Sequence, residues 1–180
     1  LDPQASLSAL FGHQPELDVG PNETLYGAIR YDSEQRPIAE IVRGTYIPDL
    51  HIIPGNLELM EFEHDTPRAL MRRAPGDTLF FARIGQAIAQ AQNFYDVVVI
   101  DCPPQLGYLT LSALTAATSV LVTVHPQMLD VMSMNQFLAM TGDLLAEIGR
   151  AGARSDYHWM RYLVTRFEPS DGPQNQMVAF

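Results

Sequence analysis

The sequence predicts an α/β fold, a twisted and mostly parallel sheet flanked by helices on both faces. Three observations carry this reading. Short apolar runs at Leu50–Ile53, Val97–Ile100, Ser119–Val124 and Tyr162–Thr165 recur with helix-length segments between them. Val97–Ile100 is four apolar, β-branched residues in a row, which suits a strand buried on both faces. The helical pattern of Thr78–Gln92 leads by a short connection into that run, which is half of a βαβ unit.

The elements follow in order. Ala5–Phe11 places Leu7, Leu10 and Phe11 at helical spacing, with Gly12 as its stop. His13–Asn22 is polar and turn-rich and reads as a surface loop. Glu23–Tyr31 reads as a helix, and Pro37 opens a short one through Val42. The strand Leu50–Ile53 stops at Pro54-Gly55-Asn56, and a helix starts over Leu57–Phe62. Thr66–Arg73, Thr78–Gln92 and Leu109–Ala117 read as further helices. Ser119–Val124 is a strand ended by His125-Pro126, and Gln127–Ile148 a long helix. Gly149–Ser155, with Arg150 and Arg154, reads as a loop or frayed helix end. The last strand, about Tyr162–Thr165, precedes a turn at Asp171-Gly172-Pro173 and a helix beginning near Gln174. The 180 residues read as a single domain, without internal repeat or linker.

Composition narrows the function. A net charge of −10 argues against a surface that coats nucleic acid uniformly. It leaves room for a local patch, and Arg68, Arg72 and Arg73 lie together, the first two one helical turn apart. No apolar run approaches the ~20 residues that span a bilayer. One cysteine rules out an intramolecular disulfide framework and suits a cytosolic compartment. The five histidines show no ligand spacing with one another or with Cys102, so no structural zinc is expected. All eleven basic residues are arginines. A P-loop needs a lysine, and these residues hold none. With the opening Leu1-Asp2-Pro3-Gln4 and a closing segment that stops in an apolar pattern, the chain reads as an internal fragment of a longer protein.

The chemistry gathers at Asp101. The apolar run ends there, and Cys102, Pro103 and Pro104 follow, so the chain cannot go on pairing as a central strand. A carboxylate at the carboxyl end of a parallel strand faces the edge where ligands bind in open α/β sheets. An apolar run ending in Asp is also the Walker B arrangement, in which the carboxylate holds Mg²⁺ directly or through a water. A plain buried strand whose Asp caps the next helix has the same local pattern. Asp2-Pro3-Gln4 read alone is a turn capping a helix. Cys102 fits a small buried space-filler, and His125 a loop histidine with no partner in view.

The segment Asp101-Cys102-Pro103-Pro104-Gln105-Leu106-Gly107 resembles the switch that follows Walker B in the ParA family of partition ATPases, the deviant Walker group that also contains MinD. Asp2-Pro3-Gln4 is similar to the family's first switch, Ile53-Pro54-Gly55-Asn56 to its Ile-Pro-x-Asn strand end, and Thr165-Arg166-Phe167-Glu168-Pro169 to the segment that encloses adenine. The run from His125 to Leu138 resembles the RepA branch, the partition ATPases of plasmid replication-and-partition operons. The resemblance implies a P-loop NTPase with ATP and Mg²⁺ as cofactors. It implies metal and catalytic roles for Asp101 and Asp2, and nucleotide contacts for Gln4, Pro103, Arg166 and Pro169. It further implies an ATP-dependent homodimer that binds DNA without sequence preference, a ParB-type centromere-binding partner that stimulates hydrolysis, repression of its own operon, and a cytoplasmic, nucleoid-associated protein without membrane attachment. The fragment itself is expected to be inactive.

Two alternatives stay open. A non-catalytic, nucleotide-responsive DNA-binding or scaffold protein fits the missing lysine if the chain is complete. A MinD-like membrane-associated ATPase would need a C-terminal amphipathic helix. A cluster-binding reading fails on a single cysteine, and a dinucleotide-binding one on the lack of Gly-x-Gly-x-x-Gly.

Overall fold

Side-chain caps at Thr24 and Asn56 mark two of the points where the chain turns into helix. The computed structural model describes residues 1–153 and 156–179; Arg154 and Ser155 of the expected Gly149–Ser155 loop, and Phe180, lie outside them. The fold is α/β, and its contacts divide it into two compact units, Leu1–Ala116 and Ala117–Phe180.

In the first unit, α1 (Ser6–Leu10) ends at Gly12, whose φ of 89° only glycine adopts without cost. α2 (Pro15–Asp18) falls where the sequence suggested a loop. Pro15 supplies the φ of a first helical residue, and the Asp18 carboxylate accepts the Gln14 N–H at 2.7 Å. α3 (Leu25–Ile29) starts where the Thr24 hydroxyl accepts Tyr26 N–H at 3.2 Å. α4 is Ile38–Ile41. β1 (Arg43–Gly44) and β2 (His51–Ile52) form an antiparallel pair, so the expected strand at Leu50–Ile53 is shorter and its partner is local. A 3-10 turn, Leu57–Leu59, begins with Asn56 Oδ1 accepting Glu58 N–H at 2.9 Å. It runs into α5 (Met60–Arg72). The two helices expected over Leu57–Phe62 and Thr66–Arg73 are thus one, and Pro67 sits inside it. The proline forfeits only the bond to the Glu63 carbonyl.

α6 (Phe80–Ala89) and α7 (Tyr108–Ala116) form the best-packed pair of the unit. The Ser112 and Thr115 hydroxyls of α7 reach the Phe80 and Phe81 carbonyls at 3.0 and 2.6 Å. The Phe80 ring meets those of Phe81 and Tyr108 edge-on at 5.4 and 5.0 Å. Ile29, Ile38, Ile41, Leu59, Phe62, Ile84 and Leu109 close the core, each at most 2% exposed.

Val97–Ile100 departs from expectation. It carries no ladder hydrogen bonds, and Val97 and Val99 are 76% and 85% exposed. Apolar, β-branched character suits a strand, but a strand exists only where a neighbour accepts its hydrogen bonds, and none of the described residues does so here.

The second unit holds the parallel pair β3 (Ser119–Val124) and β4 (Trp159–Val164), in register from Ser119 opposite Trp159 to Val124 opposite Val164. Their crossover is α8 (Met128–Arg150), the connection a parallel pair requires. α9 (Gly172–Ala179) begins where Asp171 Oδ1 accepts Gln174 N–H at 3.1 Å. No helix among the described residues is long and apolar enough to cross a membrane.

Two substitutions test this packing by urea unfolding. Phe62→Ala removes a fully buried ring and is expected to cost about 3–5 kcal/mol. Gly27 lies in α3 against the Asn22 backbone, where a Cβ would collide with the carbonyl, so Gly27→Ala is expected to cost about 1–3 kcal/mol despite alanine's better helix propensity.

Candidate functional site

Asp2 and Asp101 are brought together. Leu1 N donates to the Asp101 carbonyl at 2.7 Å. Both aspartates line one small cavity of about 30 Å³, with Ser8, Ile52, Ile53 and Gly55 among its walls. That is room for about one water.

Each aspartate heads a loop held in place. Asp2 Oδ1 accepts Gln4 N–H at 3.0 Å and its carbonyl accepts Ala5 N–H at 3.0 Å, so the carboxylate stabilises its own turn. Ala5 is buried with φ at 55°, a conformation that costs a non-glycine residue about 1 kcal/mol. Such strain collects at switch segments. Gly55 lies across from this turn. A Cβ there would stand 3.1 Å from the Asp2 carbonyl oxygen, and its N–H donates to the buried Ser8 hydroxyl at 3.0 Å. A side chain at this position would have to push the Asp2 carbonyl back by a few tenths of an ångström.

The loop after Asp101 is anchored by a residue that sequence reasoning missed. Glu63 of α5 reaches the start of α7, and its carboxylate accepts Tyr108 N–H and Leu109 N–H, both at 2.9 Å. A negative charge at a helix N-terminus is favourable. Gly107 is the accommodating residue, since a Cβ there would lie 2.5 Å from Glu63 Oε1. The Thr110 hydroxyl donates to the Gln105 carbonyl at 2.7 Å, tightening the same loop. The one available signal was a helix preceded by glycine, with no side chain of its own to cap it.

Pro103 is buried in this loop, whereas Gln4 and Asp101 are exposed. Cys102, expected to be a buried filler, is exposed; its sulfur lies 3.8 Å from the Ile100 carbonyl. Desolvation of that sulfur nevertheless pushes its thiol up, away from the thiolate a reactive cysteine needs.

In the second unit, Arg166 and Pro169 sit on one ordered loop after β4. Arg166 is exposed and holds φ at 53°. The Pro169 carbonyl accepts from Asn175 Nδ2 at 2.7 Å. The loop is pinned by Gln174, 5% exposed, whose Oε1 accepts Glu168 N–H at 2.9 Å. His125 has a partner after all: its Nδ1 lies 3.0 Å from Asp130 Oδ2 in the first turn of α8.

No group of three or more His, Cys, Asp or Glu among the described residues could hold a metal on its own. Two aspartates lining one water-sized cavity are a donor set of the kind Mg²⁺ uses, since it takes one or two protein carboxylates and fills its shell with water and phosphate oxygens.

A family model described as "AAA domain" matches residues 1–150. A putative replication protein A of Rhizobium rhizogenes is 80% identical over 180 residues, all of this chain and 45% of that protein. The chromosome partitioning protein ParA of Myxococcus xanthus is 29% identical over 178 residues, 99% of this chain and 56% of that one. The chain therefore spans about half the length of these relatives. Among solved structures, cobyrinic acid a,c-diamide synthase from Mycobacterium smegmatis with bound ADP and magnesium superposes with a TM-score of 0.74 at 26% identity, over 99% of this chain and 64% of that one. A partition protein superposes at 0.79 and 18% identity, over 99% and 50%, a likeness of fold. The family model over residues 1–150, the α/β fold and these relatives agree: the chain belongs to the ParA-type partition ATPase family, within the P-loop NTPases.

Proposed function

We propose that the protein is a partition ATPase that hydrolyses ATP with Mg²⁺ and uses the nucleotide cycle to segregate plasmid DNA. The observation that supports this most is the meeting of Asp2 and Asp101 at one water-sized cavity, each on a loop that runs into a helix. Bound Mg²⁺ would supply charge neutralisation at the phosphates. Asp101 would hold it, directly or through a water. Asp2 would orient the attacking water and tie its turn to the γ-phosphate. Gln4 and Pro103 would border the nucleotide beside these carboxylates. Arg166 and Pro169 would enclose the base, the loop around Gln174 keeping them in place. ATP-dependent dimerisation, DNA binding, a ParB-type partner, autorepression and a nucleoid-associated, cytoplasmic location belong to the same proposal.

One observation favours a second reading. The 180 residues contain no lysine, so within them nothing plays the P-loop lysine's part. A protein whose whole sequence lacked it would be a nucleotide-responsive scaffold rather than an enzyme. The same measurements separate the two readings. On the protein translated from its natural start, slow ATP turnover stimulated by DNA and the centromere-binding partner is expected. Asp101→Ala should lower kcat about 100-fold or more, with the protein still folded. No nucleotide binding by the folded, full-length protein would overturn the enzyme reading. Arg166→Ala is expected to raise KM for ATP several-fold with kcat little changed, because a base contact contributes equally to ground and transition states.

A further inference from the structure

A cleft of about 800 Å³ opens in the first unit between the C-terminal half of α5, α6 and the end of α3. It takes in neither aspartate of the candidate site. Its size is that of small-molecule sites. Its floor is partly apolar, with Phe80 and Ala87 buried in it.

Four arginines, Arg68, Arg72, Arg73 and Arg83, line it against three aspartates, Asp32, Asp65 and Asp77, and Asp32 is paired with Arg30 at 2.6 Å. Arg68 spends its charge on Asp65 at 3.4 Å. Arg72 and Arg73, at the end of α5, have no ion-pair partner among the described residues. Arg83 lines the same cleft from α6. Its guanidinium stacks 4.0 Å above the Tyr31 ring, and its Nη1 donates to the Ile29 and Arg30 carbonyls at 3.1 and 2.7 Å. Its Nε is buried with no hydrogen-bond partner, and no carboxylate stands within ion-pair distance. A half-buried cation without a counter-ion is costly, and so is an orphaned donor. Desolvation holds this guanidinium below its usual pKa. Asp77, the acid beside it on the cleft wall, has its Oδ2 engaged by Ala74 N–H at 2.8 Å.

We infer that this cleft is a binding site for a small phosphorylated ligand, its phosphate held by Arg72 and Arg73 and completing the environment of Arg83. Arginine forks suit phosphate oxygens. The apolar floor at Phe80 and Ala87 would take the body of the ligand. A long polyanion is disfavoured, since the chain carries a net charge of −10 and the arginines line a recess rather than a ridge.

The test is titration of the 180-residue chain with inorganic pyrophosphate, followed by calorimetry and by the Nε–H resonances of ¹⁵N-labelled arginine. Saturable binding that shifts the Arg83 resonance is expected. Arg72→Gln with Arg73→Gln should weaken it at least tenfold, while Arg150→Gln, on α8, leaves it unchanged. The inference is overturned if the double variant binds pyrophosphate as well as the parent, if the Arg83 resonance does not move, or if duplex DNA binds through Arg72 and Arg73 while pyrophosphate does not.

Discussion

The carboxylate of Glu63 joins two parts of the chain that lie 45 residues apart. Through it α5 caps α7, and the loop from Asp101 to Gly107 has a fixed far end. Hydrogen bonds from backbone N–H groups to a charged acceptor are among the stronger ones in a protein, about 1.5–3 kcal/mol each. Without them the first turn of α7 would offer unpaired donors beside the Phe80–Tyr108 ring contact that fastens it to α6. The near end of the loop is set separately, at the Asp101 carbonyl. The segment that resembles a nucleotide switch is therefore held at both ends and free of helix or strand between them.

Arg30, Arg43 and Arg83 of the first unit are held in two different ways. Arg30 pairs with Asp32 at 2.6 Å, and Arg43 with Glu23 at 2.5 Å; these tie loops to neighbouring elements in partly solvated settings. Arg83 is bound to carbonyls and an aromatic face instead, with no acid in reach. Carbonyl dipoles and a ring quadrupole steady a cation without neutralising it. Its positive potential remains available to the cleft, whereas the paired arginines have spent theirs.

Much of the fold was legible because its local signals agree. Ser119–Val124 is mostly apolar and β-branched and ends at His125-Pro126, and it is a strand with those bounds. Val97–Ile100 has an equally strong local signal and no pairing, because pairing depends on a neighbour that periodicity does not specify. β1 escaped notice since two residues, one of them glycine, leave no alternation to read. α2 is only four residues, started by a proline that also suits a turn. The aspartates were visible through the turn chemistry around them. Glu63 was not, as its partners are distant and its own surroundings read as an ordinary helix. Gly55 and Gly107 were visible as motif positions, but their reason, the close approach of the Asp2 carbonyl and of the Glu63 carboxylate, exists only in three dimensions.

The turn at Asp2 is not mechanically alone. Ser8 is hydrogen-bonded to Gly55, the Tyr46 hydroxyl donates to the Leu10 carbonyl at 3.2 Å, and His13 Nε2 donates to the Gly44 carbonyl at 2.9 Å. Three hydrogen bonds thus join α1 and the turn after it to Gly44, Tyr46 and Gly55, on and beside the β1–β2 hairpin. The Tyr46 ring at this junction is 72% exposed. The turn at Asp2 is therefore connected, through α1 and these few bonds, to a tyrosine that stands in solvent well away from the cavity lining.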